Sequence, residues 1–135
     1  IPKKYKNSIK YVDYGPTKYD AIPIIPTFLI KKKIYKYAFF LENIKNYRKI
    51  FPDLILIDGR FRVMICLSML YLQIKNNVKS KIILDDYKNR THYKVLKEFF
   101  DIKNIGRLAI LNKKNKKYNI LRIENLIKKY SDDSR

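Results

Sequence analysis

The sequence predicts an α/β fold whose sheet is mostly parallel and carries an antiparallel edge at its C-terminal side. Three observations lead there. Leu54–Ile57 (LILI) and Lys81–Asp85 (KIILD) are unbroken apolar, β-prone runs that each stop at a carboxylate, as strands buried on both faces do. Each is followed by a stretch with helical apolar spacing, and helices after buried strands imply crossover connections. The third strong run, Gly106–Leu111 (GRLAIL), precedes a polar turn and a further β-prone stretch.

Element by element, Ile9–Asp13 (IKYVD) reads as a short strand stopped by Gly15-Pro16. Pro23 and Pro26 make Asp20–Phe28 an extended loop. Ile34, Tyr37, Ala38, Leu41, Ile44, Tyr47 and Ile50 recur at three and four residues, which predicts one amphipathic helix from Ile34 to Ile50, ended by Pro52. Leu54–Ile57 follows as a central strand, and Phe61–Ile74 as a helix apolar nearly all round, packed under the sheet. After Lys81–Asp85, Asn89–Asp101 is a helix with Tyr93, Leu96, Phe99 and Phe100 inward and Thr91 as a candidate cap. Gly106–Leu111 is a strand, Asn119–Ile123 its hairpin partner through NKKNKKY, Glu124–Tyr130 a short helix, and SDDSR a frayed tail. At 135 residues the chain is long enough for one sizeable core and too short for two independent ones.

Composition excludes several classes. A single cysteine, Cys66, forbids an internal disulfide, and a single histidine, His92, leaves no Cys/His set for zinc. The longest apolar run, Val63–Ile74, is too short for a membrane span, and IPKKYKNSIK lacks a secretory apolar core. An intracellular location follows, cytoplasmic or organellar. Because the sequence opens on Ile1 instead of methionine, a processed chain or a segment of a longer one is expected. The 31 Lys and Arg against 12 Asp and Glu give a net charge of +19, which favours an acidic partner such as RNA. Abundant Ile, Lys, Asn and Tyr beside three Ala and three Gly also fit A/T-rich coding, which would supply lysines without any partner. The basic candidates are Lys31, Lys32 and Lys33, and Lys113, Lys114, Lys116 and Lys117. Tyr35 and Tyr118 interleave them as stacking rings. No recognition helix for DNA stands out.

In an open parallel sheet, ligands sit beyond the carboxyl ends of the strands. Asp13, Asp58 and the pair Asp85 and Asp86 stand at such ends. If their strands are neighbours, these carboxylates could share a divalent, oxygen-loving cation such as magnesium, or bind polar ligand groups. Equally, Asp-Gly and Asp-Asp are loop formers that need no ligand. Arg60 and Arg62 could pin the carboxylates or hold an anionic ligand. His92 is the side chain that titrates nearest neutral pH, and either catalysis or packing accounts for it. Cys66 belongs to the core. The glycines Gly15, Gly59 and Gly106 are isolated, so the chain alone cannot form a glycine-rich phosphate or nucleotide turn.

These residues carry a resemblance. FPDLILIDGRFRVMICLSMLYL (Phe51–Leu72), KIILDDYKNRTHYKVLKEFFD (Lys81–Asp101) and GRLAIL resemble, in order, the PDLVLVDGRFRVA, ILFDDY, RPHYHVVEEFF and GRMAV blocks of a family of uncharacterised bacterial proteins with a class I methyltransferase-like fold. YVDYGPTKYDAIP (Tyr11–Pro23) is similar to that family's VDIGPTxxWGxP element. The resemblance implies one partial Rossmann-like domain over residues 1–135 that binds S-adenosylmethionine. IKYVDY would lie on the third strand, LILID on the fourth, IILDD on the fifth and GRLAIL on the next.

By the same resemblance Asp13, Asp58 and Gly59 face the cofactor, and Asp58 with Asp85 or Asp86 matches the metal-binding acids of small-molecule O-methyltransferases. Asp58, Arg60 and His92 are the catalytic candidates. Two features depart from the family. The first strand, its glycine-rich turn and the second strand have no counterpart, and Tyr19-Asp20 replaces Trp-Gly. The expectation is therefore the C-terminal part of a methyltransferase-like protein, completed by an N-terminal half or another chain and acting on a small hydroxylated substrate. The alternative is a non-catalytic subunit of an RNA-containing assembly such as a divergent ribosome.

Overall fold

A computed structural model describes residues 15–19 and 22–135. The expected strand Ile9–Asp13, and Asp13 with it, lies outside the described residues. In the described chain β1 (Thr17–Lys18) pairs antiparallel with β2 (Ile22–Pro23), and a 3₁₀ turn over Thr27–Leu29 leads into α1 (Lys31–Ala38). Four strands then form one sheet: β3 (Leu54–Ile57), β4 (Lys81–Leu84), β5 (Phe100–Ile105) and β6 (Leu108–Lys113), in the order β3-β4-β6-β5. β3 and β4 are parallel, with Ile55 opposite Ile82 and Ile57 opposite Leu84. β6 runs antiparallel to both of its neighbours, so β3, β4 and β5 all point one way.

The core lies between one face of this sheet and two helices. Ile55, Ile57, Ile82, Leu84, Ala109 and Leu111 alternate along their strands onto that face and are all buried. α2 (Arg62–Lys75) connects β3 to β4 and is apolar nearly all round, as its sequence requires; every residue from Val63 to Leu70 is buried. α3 (Ile120–Tyr130) packs along α2 through Ile123, Leu126 and Ile127. Phe61, just before α2, holds a left-handed backbone (φ 57°). That conformation is costly for a bulky residue, and complete burial of the ring offsets it.

Several elements differ from the sequence reading, each for a physical reason. The helix expected over Ile34–Ile50 is α1 plus a separate 3₁₀ turn at Phe40–Asn43; it starts earlier, at Lys31, and stops at Ala38. Ile44 and Tyr47 reach the core from turns, which mimics helical spacing, while Ile50 is exposed. β3 is an edge strand among the described residues, and its outward side chains Leu54 (55 % exposed) and Leu56 (66 %) are uncovered. A short apolar run reads the same whether one face or both are buried. Thr91–Glu98 is a 3₁₀ helix without a side-chain cap, and Phe100 opens β5. The three-residue spacing of Tyr93, Leu96 and Phe99 suits three residues per turn. GRLAIL yields β6, which begins at Leu108 and is antiparallel to β4; its hairpin partner is β5, joined through Gly106 with φ +60°. Asn119–Ile123 is not a strand. Asn119 caps α3, its side chain accepting the Arg122 N–H at 3.1 Å.

Candidate functional site

The carboxyl ends of β3 and β4 gather three carboxylates and three arginines. Asp58 follows β3 directly and is exposed, and Arg62 on the first turn of α2 donates to its Oδ1 at 3.4 Å. The same guanidinium donates to the Tyr93 hydroxyl at 3.3 Å and lies 3.7 Å from Asp86 Oδ2. Burial opposes the Arg62 charge, but Tyr93, Asp58 and Asp86 together more than offset it and raise its pKa above the ordinary arginine value. Asp86, itself left-handed (φ 55°), also accepts from Arg90.

Asp85 is the most deeply placed acid, with its side chain 8 % exposed. Arg107 grips it with two bonds, Nε to Oδ1 at 2.8 Å and Nη2 to Oδ2, and the Asp86 N–H adds a third at 2.8 Å. The Arg107 bonds hold the Asp85 carboxyl below the usual aspartate range, although burial pulls the other way. β-pairing explains the reach. Leu84 sits opposite Ala109, and beyond the ladder the Tyr87 N–H bonds the Arg107 carbonyl at 2.9 Å, so the hairpin tip folds back over Asp85.

One recess of about 230 Å³ opens at this end, lined by Tyr37, Phe40, Leu56, Ile57, Asp58, Gly59 and Ile65. Gly59 is needed for its shape, because a Cβ there would stand 3.0 Å from the Tyr37 hydroxyl oxygen. Asp58 is the one charged group in its wall among the described residues. A larger recess of about 470 Å³, between Tyr35, Phe39, Tyr71 and α3, lies on the helical side and away from the strand ends.

The expected site residues therefore separate. Asp58 and Gly59 share the recess; Asp58 and Asp86 share Arg62; Asp85 is bound to Arg107. Arg60 is half-buried next to Gly59 but does not line the recess. His92 faces a different hollow, formed with Tyr130, Asp133 and Arg135 of the C-terminal tail. Burial and the Arg135 charge lower its pKa against the pull of Asp133. No three Asp, Glu, His or Cys side chains come together as a metal-binding group among the described residues. Asp58, Asp85 and Asp86 each already have an arginine, so the donor set does not fit a divalent cation. No helix among the described residues is long and apolar enough to cross a membrane.

Tyr37, Tyr93, Arg90 and Arg107 were missed in the sequence. Tyr37 and Tyr93 were visible only as core positions, and no spacing rule joins Arg107 to Asp85 across 22 residues.

Lys31, Lys32 and Lys33 form the first turn of α1, where Lys31 pairs with Asp132 at 3.4 Å. Lys113 ends β6, and Lys114, Lys116 and Lys117 follow it, at the opposite end of the sheet from Asp58.

No protein-family model and no curated protein matches the chain. Among solved structures it is similar to a methyltransferase-like protein from Silicibacter pomeroyi, with 24 % identity and a TM-score of 0.72. The match covers 93 % of this chain and 61 % of that protein, so the chain spans about three-fifths of its length. With its mixed sheet, antiparallel edge pairing and crossover helix, the chain has a Rossmann-like methyltransferase fold.

Proposed function

We propose that the chain is the C-terminal part of an S-adenosylmethionine-dependent methyltransferase that acts on a hydroxyl of a small molecule. The observation that carries this reading is the recess at the carboxyl end of β3, where one carboxylate stands among apolar and aromatic walls. Ligands of open α/β sheets bind at that end. At about 230 Å³ the recess is smaller than the ~300–1,000 Å³ of whole small-molecule sites, so it accommodates a substrate or one end of a cofactor. The remaining wall, glycine-rich turn included, would come from polypeptide outside the described residues, either preceding this segment or in another chain. In this reading residues 15–135 are part of one Rossmann-like domain.

S-adenosylmethionine, when bound, supplies an electrophilic methyl group. The residues here then have positional tasks. Asp58 accepts a hydrogen bond from the substrate hydroxyl and takes its proton as the oxygen gains the methyl group. Arg62 fixes the direction of that carboxylate, and Tyr93 and Asp86 fix Arg62 in turn. Tyr37, Phe40 and Ile65 exclude water. Placing the acceptor oxygen in line is the larger part of such a reaction. Gly59 lets the reactants approach the backbone. Arg60 and His92 line no part of the recess, so the chemistry is assigned to Asp58 and not to them.

Calorimetric titration of the full native polypeptide with S-adenosylhomocysteine tests this. Binding by the wild type and by Asp58→Asn alike, with methyl transfer from S-adenosylmethionine to a panel of hydroxylated small molecules at least tenfold slower in the variant and melting unchanged, is the expected result. Absence of binding by the wild type, or equal transfer by the variant, would overturn it.

A further inference from the structure

We propose that a lysine-lined groove at the other end of the sheet binds the phosphate backbone of a single-stranded polynucleotide. Lys79, just before β4, and Lys113, at the end of β6, are brought together by the antiparallel pairing of those strands, in which Lys81 faces Asn112. With Lys114, Lys116 and Lys117 they line a groove of about 400 Å³ that has no acidic residue in its wall among the described residues. The five come from segments over thirty residues apart, so the sequence displays only four of them as a run.

The groove is built, not merely rich in lysine. Lys114 Nζ donates to the Lys97 carbonyl at 2.5 Å and Lys116 Nζ to the Glu98 carbonyl at 2.7 Å. Lys116 also lies over the rings of Phe99 and Tyr118, 5.5 Å from each centroid. Tyr118 anchors the loop through its hydroxyl, 2.7 Å from the Lys114 carbonyl oxygen and 3.0 Å from that of Phe99. None of the five lysines has a salt bridge among the described residues, and Glu98, whose charge Lys116 feels, is taken by both arms of Arg122 at 2.8 and 2.9 Å. Lys113 is half-buried, and burial together with the Lys79 charge lowers its pKa. Asp53 borders Lys79 and Lys113 in the adjoining hollow, but the groove itself gathers five ammonium groups with no carboxylate among its described lining residues, an excess that a row of phosphates relieves. Lysine meets phosphate as a compact point charge and needs no base contact. Tyr118 lines the groove, and an aromatic ring there suits the unpaired bases of a single strand, which stack on such rings. It lies at the sheet end away from Asp58, so it stands or falls independently of methyl transfer.

The test is fluorescence anisotropy of labelled single-stranded RNA and DNA oligonucleotides over a range of salt concentrations. If all five lysines meet phosphates, the log–log salt slope is about −3.5, and Lys79→Gln with Lys113→Gln makes it shallower by about 1.4 while weakening binding about tenfold. Lys31→Gln, Lys32→Gln and Lys33→Gln together serve as the control on another face, and a second groove variant, Lys79→Gln with Lys117→Gln, is used if the first melts early. An unchanged slope in the groove variants overturns the proposal, and so does an equal loss in the control, which would mean diffuse charge. Binding to anionic vesicles in preference to either oligonucleotide overturns it as well.

Discussion

Tyr93→Phe removes one oxygen from the centre of the charged cluster and nothing else. The ring is completely buried, stacked on Tyr87 at 5.5 Å and edge-on to His92 at 4.2 Å, and those contacts survive the change. What is lost is the acceptor for Arg62 Nη1. Hydrogen bonds to charged groups contribute about 1.5–3 kcal/mol, and at 3.3 Å this one is long, so the lower end applies. The alternative partner, Asp86 Oδ2 at 3.7 Å, is outside hydrogen-bond range, and Arg62 Nε has no acceptor among the described residues. The expected cost is therefore about 1.5 kcal/mol, against about 3–5 kcal/mol for Tyr93→Ala, which also empties the ring site. Urea unfolding followed by circular dichroism measures both, with an unchanged m-value as the check that the unfolded state is the same. A phenylalanine variant within about 0.3 kcal/mol of wild type would refute the argument. Failure of a double-mutant cycle with Arg62→Met to show coupling would do the same.

Three further outcomes are expected. Asp85 has a folded-state pKa below its ordinary 3.8, so its contribution to stability is present above that value and is lost as the pH falls through the folded pKa; Asp85→Asn should flatten acid unfolding there and leave the slope above pH 6 unchanged, as seen by circular dichroism. Gly106→Ala meets no atom within 4 Å, so its cost is backbone alone, about 1 kcal/mol by denaturant titration, and Gly106→Asn should cost less. Cys66 is fully buried in α2 and its thiol is pushed far up by burial, so a thiol-specific reagent should leave it unmodified in the native protein and label it quickly in urea.

Much of this fold could be read along the chain because its strongest signals are local. The all-round apolar surface of α2 and the strand-then-carboxylate design of β3 and β4 depend on neighbours in sequence, and both stand where expected. The errors fall where a residue's environment is set by a distant segment. Leu54 and Leu56 look as buried as Ile55 and Ile57 until the sheet order makes β3 an edge. The sequence reading opens a strand at both Gly106 and Asn119; because β6 pairs with β5, Gly106 instead turns their hairpin and Asn119 is left to open α3. At the site, Asp58 and Asp85 were legible as strand ends. Arg62 as a partner of Asp58 is legible too, because it stands four residues on; Arg107 is not, because it reaches Asp85 from a hairpin tip.

That last contact has a kinetic consequence. The β5–β6 hairpin closes over a two-residue turn and is the kind of unit that forms in about 1–10 μs. The β3–α2–β4 crossover must close a far longer loop before its parallel ladder is rewarded, and it forms more slowly. Asp85 belongs to the slow unit and Arg107 to the fast one. Their ion pair can form only when the two have docked, so the polar end of the sheet is completed last. A time-resolved probe at Arg107 would then report the arrival of the whole sheet instead of the birth of its hairpin.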